Sequence, residues 1–158
     1  MRKLWAAAGV VVWFAGTGAG ALAQDATYRK DIKPIFDQKC AGCHGAASPT
    51  LQEFLENQKK FEAAMKGPRM DTYADLVSLV GWPDTGAIMR RLDDGKNAGG
   101  KPGNMFQFLG SSDEERQKNL QTFKAWVGPE GWILKRWNAR GNVPGITKEE
   151  LDKIRVKY

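Results

Sequence analysis

The chain has very few side chains that bind metals through nitrogen or sulfur: one histidine, His44, and two cysteines, Cys40 and Cys43. A structural zinc site takes four such ligands, so these three are too few. Also missing are a long basic run and a stripe of aromatic residues interleaved with basic ones, which argues against nucleic acid as a partner. Beyond the first 23 residues no apolar run approaches the ~20 residues that a bilayer span needs. No period-two alternation marks a strand, and no segment repeats. No carboxylate pair and no nucleophile–base constellation is in view, so the pattern does not suggest an enzyme.

What is present begins with Met1-Arg2-Lys3, an apolar run from Leu4 to Leu22, and Ala21-Leu22-Ala23. This is the basic, hydrophobic and small-residue sequence of an export signal, so residues 1–23 are set aside as a signal peptide and the mature protein is expected in the periplasm. The alternative is an uncleaved anchor, because the apolar run is about as long as a span. After cleavage no span remains. Removing Arg2 and Lys3 from the 24 basic residues leaves 22 against 18 acidic ones, a net charge of +4. Residues 24–131 are balanced, and the whole excess lies in 132–158.

The mature chain reads as helical. Pro34 suits a first helical turn, where its missing N–H costs nothing, so a first helix should run from there into the cysteines. Ser48-Pro49-Thr50 with Glu53 offers a cap for a longer helix that ends before Gly67-Pro68. Asp71-Thr72-Tyr73 opens a third helix, with Tyr73, Leu76, Val77 and Val80 on one face. A short helix over 86–92 leads into the Gly-rich stretch 94–103, which leads in turn to Asn104-Met105. Ser112 and Glu115 cap a last core helix carrying Leu120, Phe123, Trp126 and Val127 on one stripe. The tail adds Trp132, Trp137 and a short capped helix from Thr147.

Cys40-Ala41-Gly42-Cys43-His44 is C-x-x-C-H, the attachment signature of c-type haem. On one helical turn, residues three apart share a face, so two thiols can bond to the haem edge while the next imidazole reaches the iron. Zinc lacks a fourth ligand, and a thiol redox pair would expect a βαβ context. Because His44 is the only histidine, a bis-His haem cannot form within one chain. The second iron ligand then comes from Met65, Met70, Met89 or Met105, or the site is open. Met65 and Met89 fall in helical segments, where a methionine is ordinarily core filler, and Met70 abuts a helix cap.

The motif, the Met-bearing loop about sixty residues later and the capped helix behind it resemble class I monohaem cytochrome c, over about Tyr28 to Val127. The resemblance implies an all-α cytochrome c-like domain, residues 24–131, around one covalent haem c and its iron. Residues 48–70 stand as a helical insertion, and 132–158 as a basic C-terminal extension outside the pattern. It implies Cys40 and Cys43 as attachment residues, His44 as proximal ligand and Met105 as distal ligand, with Phe36, Tyr73, Phe106 and Phe108 as candidate haem-packing rings. The function implied is one-electron carriage between redox partner proteins, with an acidic partner suited to the basic tail. Two other readings stand open: a haem enzyme or small-ligand sensor with an open distal site, and a haem subunit of a larger oxidoreductase.

Overall fold

The computed structural model describes residues 26–96, 100–134 and 145–158, and within these every regular element is helical. The signal segment 1–23 and Trp137 lie outside the described residues. No described helix is long and apolar enough to cross a membrane.

Thr27 starts the chain's first turn, Tyr28–Ile32, by accepting a hydrogen bond from Lys30 N–H, while its own N–H donates to Asp31 Oδ2 at 2.7 Å. The turn runs into α1, Lys33–Lys39, with Pro34 in its first turn as its missing donor allows. Cys40 keeps helical angles and donates to Phe36 O, so the path continues directly into α2, Ala41–His44. The first helix thus delivers the C-x-x-C-H turn, as the sequence suggests.

The capping box at Thr50 and Glu53 forms in full and opens α3, Leu51–Glu56. The single longer helix expected here does not form. The chain breaks at Asn57 (φ −134°, ψ 44°) and resumes as α4, Gln58–Ala63. Neither piece buries a residue. With no buried face to hold a long helix, an asparagine that bonds well to non-helical backbone is enough to interrupt it.

Thr72 caps α5, Tyr73–Ser78, and left-handed Gly86 precedes α6, Ala87–Leu92, which buries Ala87, Ile88, Met89 and Leu92. A 3-10 turn, Phe106–Leu109, leads to α7, Asp113–Val127, the longest described helix. Its stripe of Leu120, Phe123, Trp126 and Val127 is buried, as its spacing predicts. This face packs on the Tyr28–Ile32 turn and the 3-10 turn, so α7 is the spine of the core. Each large ring fully removed from water there contributes about 1.5–3 kcal/mol.

Past α7, Pro129–Trp132 forms α8 and Lys148–Leu151 forms α9. The last residues then return to the start of the chain. Arg155 N–H donates to Val127 O, Val156 N–H to Trp126 O, and Tyr28 N–H to Lys157 O at 2.8 Å. Trp132 is buried in the same core as α7. The described tail thus meets the core through Trp132, Leu134, Ile154 and Val156, while α9 itself buries no residue. Its residues 145–158 hold four basic and three acidic side chains, with Lys148 paired to Asp152, so three of the tail's four excess positive charges fall on residues 135–144, outside the described residues.

Candidate haem site

Cys40 and Cys43 stand one helical turn apart and are not joined as a disulfide. Cys43 is exposed and Cys40 half-buried against the core. Burial, with the Cys43 thiol adding to it, pushes the Cys40 thiol up to about 11. A thiol redox pair needs the opposite, a cysteine whose pKa is depressed so that thiolate is available. No group of three or more metal-binding side chains occurs among the described residues. The two thiols stand three residues apart at the junction of α1 and α2, Cys40 against the core and Cys43 open to solvent.

His44 is fixed from the segment that follows α4. Its Nδ1 lies 2.8 Å from Pro68 O, so this nitrogen carries the proton and donates. Nε2 is left without a hydrogen bond among the described residues and bears the lone pair that a metal would take. Burial is the main cause lowering the His44 pKa. The Pro68 carbonyl opposes it, and the Arg91 charge adds to the lowering. A neutral imidazole with a fixed tautomer is the form that ligates iron.

The clamp has a steric basis. A Cβ on Gly67 would overlap the His44 imidazole, so only glycine lets this segment lie against the ring. Gly67 N–H donates to Cys43 O at 2.9 Å, Met70 N–H to His44 O at 2.9 Å, and Lys66 Nζ to Gly42 O at 2.9 Å. Ser48 Oγ donates to Cys43 O at 2.9 Å. Residues 48–70 therefore brace the C-terminal part of the C-x-x-C-H turn, at Gly42, Cys43 and His44. The sequence marked Gly67-Pro68 only as a helix stop, and nothing local to Ser48, Lys66 or Gly67 revealed that they meet the motif.

The four methionines fall in different surroundings. Met65 is not core filler as its segment suggested: it is 78% exposed and takes the left-handed position (φ 53°) that closes α4, with Lys66 N–H donating back to Phe61 O. Met89 is wholly buried in α6. Met70 is buried with its backbone tied to His44. Met105 is half-buried against the core, at the exit of the Gly-rich loop, with its N–H donating to Arg91 O at 2.9 Å.

The candidate packing rings also differ. Phe36 is buried one turn before Cys40, and Phe106 packs against the core directly after Met105. Phe108 is 55% exposed. Tyr73 sits in a cluster with Tyr28, Trp126 and Tyr158, and its hydroxyl donates to Val156 O at 2.6 Å. Between α3 and α4, Phe54 and Phe61 stack at 6.3 Å, and each is only half-buried.

Comparison with known proteins adds a family to this geometry. The family model described as PccH cytochrome c matches residues 27–158. A solved structure, the monohaem cytochrome PccH from Geobacter sulfurreducens, is 58% identical over 85% of this chain and 99% of that chain, with a TM-score of 0.73. A search of curated proteins found no match.

Proposed function

The chain belongs to the PccH cytochrome c family of monohaem electron-transfer proteins, and on that premise we propose that it is a periplasmic one-electron carrier with His44 and Met105 on its iron. It binds one c-type haem. In the proposal Cys40 and Cys43 attach that haem, which supplies the Fe(III)/Fe(II) couple. The protein's own residues orient the ligands and keep water from them, and other redox proteins donate and accept the electron.

The observation that carries the reading is the His44 clamp. One ring nitrogen is committed to Pro68 O, which directs the other to a metal, on the same turn as both thiols. Met105 is favoured as the opposite ligand because its segment is pinned to α6, whereas Met70 is bonded through its backbone to His44 itself. A thioether ligand raises the potential relative to a second imidazole, and a filled site leaves no position for oxygen or peroxide, which suits carriage and not catalysis. Covalent capture suits an exported protein, in keeping with a signal segment at 1–23.

The test is an optical spectrum of the oxidised holoprotein together with its intact mass. The expected result is a mass for residues 24–158 plus one haem, and a weak long-wavelength ferric band that Met105→Ala abolishes. A high-spin spectrum in the unsubstituted protein would remove the carrier reading in favour of an open distal site.

A further inference from the structure

Met105 follows a stretch that turns back on the end of α6. Two backbone hydrogen bonds pair the segments: Met105 N–H donates to Arg91 O at 2.9 Å, and Gly103 N–H to Asp93 O at 2.8 Å. The approach is so close that a Cβ on Gly103 would overlap the Arg90 and Arg91 carbonyl oxygens. Gly95, at φ 84°, makes the entry turn, where a Cβ would lie 2.8 Å from the Lys101 carbonyl carbon. The backbone alone therefore brings Met105 to the end of α6, and Asp93 is the hinge of that pairing.

The Asp93 side chain is buried, and its two oxygens have separate duties. Oδ1 accepts Gly95 N–H at 2.9 Å, which fixes the turn that leaves α6. Oδ2 accepts the indole N–H of Trp132 at 3.1 Å. Trp132 belongs to α8, and its ring is buried beneath Lys124, whose Nζ lies 5.6 Å from the ring centroid. Lys124 also faces the buried Asp94 carboxylate at 3.9 Å. The end of α6 is thus tied to α7 and α8, and the Asp93–Trp132 bond in this tie is buried, where a hydrogen bond to a carboxylate is at its strongest.

We propose that Trp132 is a positioning residue for the distal ligand: by donating to Asp93 it holds the paired 91–93 and 103–105 segments together and so keeps Met105 in place on the iron. The inference rests on the Met105 assignment above. Its physical content is that a residue of the C-terminal segment, acting through Asp93, sets how readily Met105 is displaced.

The probe is imidazole added to the oxidised holoprotein, because an exogenous ligand must displace the methionine before it binds. Trp132→Phe keeps the ring and removes the donor. Losing one buried, charge-assisted hydrogen bond should speed imidazole binding about tenfold, with haem content and helical circular dichroism as in the unsubstituted protein. Asp93→Asn gives an independent variant, since an amide has one acceptor where two N–H groups now donate, and it should show the same acceleration. Should Trp132→Phe fail to fold, Asp93→Asn decides by the same measurement. Unchanged imidazole rates in the variants, while Met105→Ala still abolishes the ferric band, overturn the role of Trp132 alone. A band that survives Met105→Ala overturns the ligand assignment and this inference with it.

Discussion

His44 owes its orientation to one missing side chain. The segment 66–68 can touch the imidazole only because residue 67 has no Cβ, and that contact places Pro68 O at 2.8 Å from Nδ1. Gly67→Ala therefore has to push either the ring or the segment aside, at a cost of about 1–3 kcal/mol for an overpacked site. The expected outcome is a several-fold drop in haem per polypeptide, measured as pyridine haemochrome. Haem content equal to the unsubstituted protein would show that the segment yields without disturbing His44. Ser48 and Lys66 act on the same turn through its carbonyl oxygens, which the helix end leaves without internal partners.

At the scale of elements, α1, which leads into Cys40, and the core spine are joined by an ion pair. Lys39, the residue before Cys40, lies 2.5 Å from Glu115 in the first turn of α7. Glu115 also accepts from Ser111 N–H and Ser111 Oγ, while Ser112 caps the helix from the other side. The reciprocal half of the capping box expected at Ser112 thus goes to Ser111. Lys39, followed by Ser111, holds the Glu115 carboxyl down to about 2 from its ordinary 4.5. A depressed folded pKa gives stability that is complete above the unfolded value and lost as pH falls toward the folded one. Glu115→Gln should accordingly lose the acid-side part of the profile: its Tm lies below that of the parent at pH 6, and the two converge between pH 4.5 and 2. A constant gap in Tm across that window would mean that the pair contributes nothing that titrates.

For the molecule as a whole, the two ends of the described chain close one core. Lys157 O accepts from both Tyr28 N–H and the Trp126 indole N–H at 2.8 Å, and Val156 O accepts from Tyr73. Tyr158 stacks on Tyr28 at 5.8 Å and lies under the Arg29 guanidinium at 4.3 Å. Deleting residues 155–158 strips partners from three buried or half-buried donors, each worth about 1–3 kcal/mol when left unpaired. The Tm of the truncated holoprotein should fall by roughly 10 °C or more. A shift within about 2 °C would show that the tail is an appendage to a core complete at residue 154.

The sequence by itself determined what depends on neighbours along the chain. The C-x-x-C-H turn, the caps at Thr50, Thr72, Ser112 and Thr147, and the buried stripe of α7 are all local patterns, legible because hydrogen bonds at helix ends and helical periodicity act within a few residues. The break at Asn57 was not legible, because an asparagine interrupts a helix only where no partner surface holds it, and that surface is not written in the local pattern. Nor was the bracing of the motif by Gly67 and Pro68. Tertiary structure alone decided which carbonyl meets His44, which helix end holds Met105 and how the tail closes on Tyr28. Those contacts join residues 24, 14 and 129 positions apart, and the positions gain their meaning only when burial makes each unpaired polar group costly.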